Sequence, residues 1–158
     1  MIQVGQPPPG FELEGVSNKE FANFKFGDYK GKWVVFFFWP LDFTFVCPTE
    51  VTGFSKRTAD FEALNAVVLG ASTDSKFTHL AWIEDIGPIE YPLLSDITKS
   101  ASRDYGVLIE EQGIALRGLF IIDPDGVLRY QVVHDLNIGR NVDEVLRVLS
   151  ALQTGELC

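Results

Sequence analysis

Val34-Val35-Phe36-Phe37-Phe38-Trp39-Pro40-Leu41-Asp42-Phe43-Thr44-Phe45-Val46-Cys47-Pro48-Thr49-Glu50 is the stretch on which the reading of this 158-residue chain turns. It opens with an unbroken run of β-branched and aromatic residues. Bounded by turn residues, such a run reads as a strand buried on both faces. Pro40 ends the strand, and Pro48 suits the first position of a helix, where a missing N–H costs nothing. Cys47 then falls at the N-cap, facing the unpaired N–H groups of a helix start. Glu50 falls at the third helical position, where a carboxylate is also favoured.

A thiol at a helix N-terminus ionises more readily than a free one. The partial positive charge there can pull its pKa well below the ordinary value of about 8.5. Thr44, three residues earlier, offers a hydroxyl that could hydrogen-bond the thiolate or an oxygen bound to it. The pattern suggests a cysteine nucleophile in a strand–turn–helix pocket. The other reading of Cys47 is a lone buried cysteine, since free Cys is among the most buried residues.

Working outward, Gln6-Pro7-Pro8-Pro9-Gly10 is a stiff, extended lead-in. A short strand over residues 11–16 follows, Phe24-Lys25-Phe26 reads as another, and residues 28–32 turn into the central strand. Beyond Cys47 the helix is predicted to run to about residue 61, with Val51, Phe54 and Phe61 on one face. Gly53 inside it costs about 1 kcal/mol against Ala, which points to close packing by a neighbour. Residues 66–71 form a second strand, and Ser72-Thr73-Asp74-Ser75 caps a helix carrying Phe77, Leu80, Ala81 and Ile83. A loop over 85–92 precedes a short helix, capped by Asp96 or Thr98 and closed by Gly106.

Gly118-Leu119-Phe120-Ile121-Ile122 is a third core strand. Asp123-Pro124-Asp125-Gly126 is a strong turn, and residues 127–133 return antiparallel. Asn141-Val142-Asp143-Glu144 opens the last helix in capping-box style, with Val142, Val145, Leu146, Leu149 and Leu152 as its apolar stripe. Strands interleaved with helices, then a hairpin and a closing helix, give an α/β fold: a mixed central sheet with helices on both faces. No repeat, linker or low-complexity segment divides residues 1–158, so one domain is expected.

Composition narrows the function. Hydrophobic residues are 46% of the chain, including 13 Phe, 3 Trp and 4 Tyr, ample for one core. Thirteen basic against 22 acidic residues leave a net charge of −9, which argues against nucleic acid and anionic membrane as partners. No apolar run approaches the roughly 20 residues of a membrane helix. Residues 1–10 lack the basic start and apolar centre of a secretory signal, so a cytoplasmic protein is expected. Two widely separated cysteines make no stabilising framework; in a reducing compartment they read as redox-active.

The spacing Pro-x-x-x-Thr-x-x-Cys at Pro40, Thr44 and Cys47 resembles the active-site signature of the peroxiredoxins. The longer string Asp-Phe-Thr-Phe-Val-Cys-Pro-Thr-Glu is similar to that of the typical two-cysteine group, which includes the alkyl hydroperoxide reductase C proteins. Leu80-Ala81-Trp82, residues 91–96, residues 113–123 and Gly139-Arg140 extend the likeness over nearly the whole chain. It implies a thioredoxin-like fold with the peroxiredoxin elaboration.

What the resemblance implies about the site is specific. Cys47 is the peroxidatic nucleophile, and Thr44 and Arg117 hold the thiolate and the peroxide. Pro40 packs over the sulfur and limits water. Glu50 and Arg140 are a supporting pair that orients Arg117. Cys158 resolves the sulfenic acid of a partner subunit, giving a homodimer with two intersubunit disulfides. It implies a hydroperoxide substrate, a thioredoxin-like or other dithiol reductant, a homodimer or ring of dimers, and no metal, haem or flavin.

The chain departs from the group in stopping at Cys158, the start of a short or truncated C-terminal arm. Trp39 stands where many members carry Tyr. The Gly-Gly-Leu-Gly insertion of over-oxidation-sensitive members is absent from residues 83–90, so a robust enzyme is expected. Physically, Arg117 opens an otherwise apolar strand, an awkward place for a charge without a partner; its alternative is a strand-edge surface residue. The alternative for Arg140 is a surface residue beside a turn Gly and a helix cap, and that of Cys158 is a frayed terminal thiol. Trp82 is open between core and the lining of the site. Rival functions are a dithiol–disulfide oxidoreductase, disfavoured because no Cys-x-x-Cys is present, and a holdase assembly. A zinc site or a Cys–His hydrolase using His79 or His134 lacks a local signature.

Overall fold

The computed structural model describes residues 2–44 and 47–155, the side chain of Cys47 excepted. In chain order these form β1 (Glu12–Ser17), β2 (Glu20–Lys25), a 3-10 turn (Phe26–Tyr29), β3 (Trp33–Phe38), α1 (Cys47–Lys56), α2 (Thr58–Ala63) and β4 (Ala66–Ser72). Then come α3 (Lys76–Ile86), β5 (Leu93–Ser95), α4 (Ser100–Asp104), β6 (Leu108–Ile109), β7 (Ile114–Ala115), β8 (Arg117–Ile122), β9 (Leu128–His134) and α5 (Val142–Thr154). Among the described residues, seven strands form one mixed sheet in the order β2-β1-β5-β4-β3-β8-β9, with β6 and β7 paired apart.

β3 runs parallel to β4 on one side and antiparallel to β8 on the other. Its unbroken apolar sequence serves two cores at once. Val35, Phe37 and Trp39 join Val51 and Phe54 of α1, Phe61 of α2, Trp82 of α3 and Leu149 of α5. Val34, Phe36 and Phe38 join Ala101 of α4, Tyr105 and Leu94 on the opposite face. That is what a strand covered on both sides requires. Helices lie on both faces as expected. Gly70 of β4 makes room for the strand's large rings: a Cβ there would lie 2.8 Å from the Trp39 ring and 2.9 Å from that of Phe37. At Gly53 the close neighbour is Val142 of α5, 3.4 Å from where a Cβ would stand.

Several boundaries differ from the sequence reading. The helix as described spans Cys47–Lys56, so Cys47 lies within it rather than at the N-cap. Pro48 still loses nothing, because none of the first four N–H groups has an intrahelical acceptor. The helix does not reach residue 61. At Arg57 the backbone leaves the helical region, with φ −109 and ψ 14. Nearby, the Thr52 and Thr58 hydroxyls each donate to a carbonyl of the preceding turn at 2.7 Å, a competition that bends helices. Since Phe54 and Phe61 stay on one face across the break, periodicity alone hides it.

β2 starts at Glu20, well before Phe24, because Asn18 and Lys19 form a two-residue hairpin turn, both with positive φ (53 and 63). Glycine usually announces that turn, and none stands here. α4 is capped from a distance by Asp96, whose carboxylate accepts from the N–H groups of Ala101 (3.1 Å) and Ser102 (2.7 Å). β5, β6 and β7, two or three residues each, are too short for any periodicity to show. On α3 the buried residues are His79, Trp82 and Ile83, and Phe77 is exposed.

Candidate active site

β3 delivers the chain into a turn whose first residue, Pro40, is buried. Thr44 is exposed, its hydroxyl donating to the carbonyl of Leu41 at 3.2 Å. α1 then carries Glu50 back under the sheet, only 4% exposed. Arg117, the first residue of β8, is 3% exposed, and Arg140, in the loop before α5, is 8% exposed. Neither is the surface residue that its alternative reading allowed.

The Glu50 carboxylate joins the two. Its Oε1 accepts from Arg117 Nη1 and from Arg140 Nη2 at 3.1 Å. Its Oε2 accepts from Arg140 Nε at 2.7 Å and from the Arg140 backbone N–H at 2.6 Å. Arg117 Nε donates to the Leu136 carbonyl at 2.7 Å, and Arg140 Nη1 to that of Gly118 at 2.6 Å. Arg140 also lies over the Phe37 ring, 5.1 Å from its centroid. Burial pushes the Glu50 carboxyl up, but the hydrogen bonds and charge of Arg140, with Arg117 added, hold it below the ordinary carboxylate range. Two guanidiniums thus share this one carboxylate among the described residues.

Arg117 reaches from this cluster into a cleft of about 270 Å³, lined also by Pro40, Leu41, Thr44, Ile114, Leu136 and Asn137. Pro40, Thr44 and Arg117 are thus brought together, with Glu50 and Arg140 behind Arg117. The side chain of Cys47, together with Phe45, Val46 and Cys158, lies outside the described residues.

Sequence reasoning missed a second buried cluster beside the same turn. Asp42 is 6% and His79 0% exposed, and they meet at 2.6 Å. Burial pushes the Asp42 carboxyl above its ordinary value, against the hydrogen bond and charge of His79. With Asp74 they put candidate ligand atoms within 4.8 Å of one another, but hydrogen bonds to each other and to Trp39, Ser72 and Leu94 already engage them. Trp82 is core: fully buried, it stacks on Trp39 at 5.8 Å and lies 6.3 Å from Phe43 of the turn.

The model of the AhpC/TSA family matches residues 4–131. The chain belongs to that family. It is 56% identical to a putative peroxiredoxin in the rubredoxin operon of Clostridium pasteurianum, over 98% of this chain and 92% of the relative. It is 54% identical to peroxiredoxin-2 of Bos taurus, over 98% of this chain and 83% of the relative. The crystal structure of Enterococcus faecalis AhpC superposes with a TM-score of 0.95 at 38% identity, covering 100% of this chain and 99% of that one. The chain is accordingly a thiol-dependent peroxidase with the thioredoxin-like fold of the peroxiredoxins.

Proposed function

We propose that Cys47 performs the peroxidase step as nucleophile, with Pro40, Thr44 and Arg117 around the hydroperoxide and Glu50 and Arg140 orienting Arg117. The thiolate sulfur bonds to one peroxide oxygen as the O–O bond breaks. The other oxygen leaves as hydroxide or alkoxide and takes a proton, and Cys47 becomes a sulfenic acid. Charge growing on the leaving oxygen falls beside the Arg117 guanidinium, whose donors are held in place before reaction begins. Condensation with the Cys158 thiol of a partner chain releases water and forms a disulfide. A thioredoxin-like or other dithiol donor then reduces it, itself becoming a disulfide.

The observation that carries this reading is the cleft that Pro40, Thr44 and Arg117 share, with Arg117 pinned by Glu50 behind it. The Arg117 guanidinium at this cleft favours an anionic sulfur at the start of α1. A homodimer, alone or in a ring of dimers, and a cytoplasmic location belong to the same reading. Among the described residues no helix is long and apolar enough to cross a membrane.

The test is consumption of hydrogen peroxide and of a small organic hydroperoxide with a dithiol donor. Cys47→Ser should abolish turnover. Cys158→Ser should react once with peroxide and form no disulfide-linked dimer on a non-reducing gel. Full activity in Cys47→Ser would overturn the nucleophile assignment. A wild-type chain that forms no linked dimer after peroxide would overturn the role of Cys158.

A further inference from the structure

The Asp42–His79 cluster has no part in the peroxide chemistry above, yet it grips the turn that carries it. Asp42 lies midway between Pro40 and Thr44. Its Oδ1 accepts from Trp39 Nε1 at 2.9 Å, and its Oδ2 meets His79 Nδ1 at 2.6 Å. His79 Nε2 lies 2.8 Å from the Leu94 carbonyl on β5. A carbonyl only accepts, so Nε2 carries a proton. The contact between Nδ1 and Asp42 must hold a second, as imidazolium with carboxylate or as imidazole with carboxylic acid. Either way both ring nitrogens are engaged and the pair has no net charge.

The backbone of Asp42 is held as well. Its N–H donates to the Asp74 carboxylate at 2.9 Å, which also accepts from the Ser72 hydroxyl at 2.6 Å. The Asp74 carbonyl accepts from the Ser95 hydroxyl at 2.6 Å. The turn is thereby tied to α3, to β5 and to the end of β4. The next residue, Phe43, has a positive φ of 63. For a bulky residue that conformation is unfavourable and persists only where its surroundings over-determine it. The ties of Asp42 are the surroundings immediately before it.

We propose that Asp42 and His79 are a positioning pair: His79, braced on β5, fixes Asp42, and Asp42 fixes residues 40–44 so that Pro40 and Thr44 meet the hydroperoxide in reactive alignment. The inference rests on Cys47 being the nucleophile. It assigns neither residue a contact with substrate. Asn at position 42 can serve the same network, its amide N–H donating to Nδ1 and its carbonyl accepting from Trp39.

The test compares Asp42→Ala and Asp42→Asn, each in the Cys158→Ser background, by the rate of the Cys47 sulfur with hydrogen peroxide and with iodoacetamide. Alkylation reads thiolate alone, whereas peroxide attack also needs the turn. Asp42→Ala should slow the peroxide reaction roughly ten- to a hundredfold, the scale of a misplacement of about an ångström. Alkylation should change less than about twofold, and Asp42→Asn should recover most of the loss. If Asp42→Ala does not fold, His79→Gln cuts the link to Asp42 while keeping a donor for Leu94, and carries the same outcomes. A folded variant with the wild-type peroxide rate, or one slowed equally toward both reagents, would overturn the proposal. Persistence of activity in Cys47→Ser would instead remove the reading beneath it.

Discussion

Two buried charged clusters flank one turn, and they are built on opposite electrostatic logic. Around Glu50 a carboxylate is shared by two guanidiniums and its carboxyl is held low. Around Asp42 a carboxyl meets one imidazole, with the Asp74 carboxylate close by, and burial pushes it high. The first arrangement brings the Arg117 guanidinium to the cleft. The second brings none. The contrast suggests a division of labour in which one cluster supplies field and donors and the other supplies geometry.

The sharpest way to break this contrast is Arg117→Ala. It removes the guanidinium shared by the cleft and Glu50, and should lower the rate with hydrogen peroxide by about 10²–10³, the usual loss of a preorganised donor. Stopped-flow kinetics would read it. A loss smaller than that of Asp42→Ala would invert the assignment of roles.

Stability separates the clusters next. Glu50→Gln leaves two buried guanidiniums facing a neutral amide, and should cost about 3–5 kcal/mol in denaturant unfolding. The sign with pH follows from linkage. The folded Glu50 carboxyl is depressed from 4.5, so its contribution is present above 4.5 and lost as pH falls through the folded value. Asp42 is raised from 3.8, so its contribution is present below 3.8 and lost as pH rises through the folded value. Melting temperatures across the acid range should therefore show wild type losing ground to Asp42→Asn as pH rises, and to Glu50→Gln as it falls. Slopes of the same sign would contradict the contrast.

The smallest expected effect is that of Trp39→Phe. It keeps a ring against Trp82 but removes the donor to Asp42 Oδ1, and should cost about 1–3 kcal/mol. Thermal unfolding would measure it.

The clusters also differ in how far the sequence betrayed them. The run from Val34 to Trp39 announced a strand with two buried faces because no polar residue interrupts it. The Pro-x-x-x-Thr-x-x-Cys spacing carried the family likeness. Arg117 was conspicuous as a charge heading an apolar strand, and Glu50 and Arg140 followed from the family likeness. Asp42 and His79 left no comparable trace, being 37 residues apart and each ordinary in isolation. The signal that could have exposed them is a histidine on the apolar side of α3, beside Trp82 and Ile83, paired with an acid inside an apolar turn. The break at Arg57 escaped for a related reason, since tertiary packing kept the hydrophobic stripe intact across it.

The proposed peroxide chemistry depends most on an anionic sulfur at the start of α1. The direct measurement is the pH dependence of Cys47 alkylation by iodoacetamide in the Cys158→Ser variant. A midpoint well below the ordinary thiol value of about 8.5 is predicted. A midpoint at that ordinary value would mean that the Arg117 guanidinium and the helix end do not act on the sulfur, and would contradict the account.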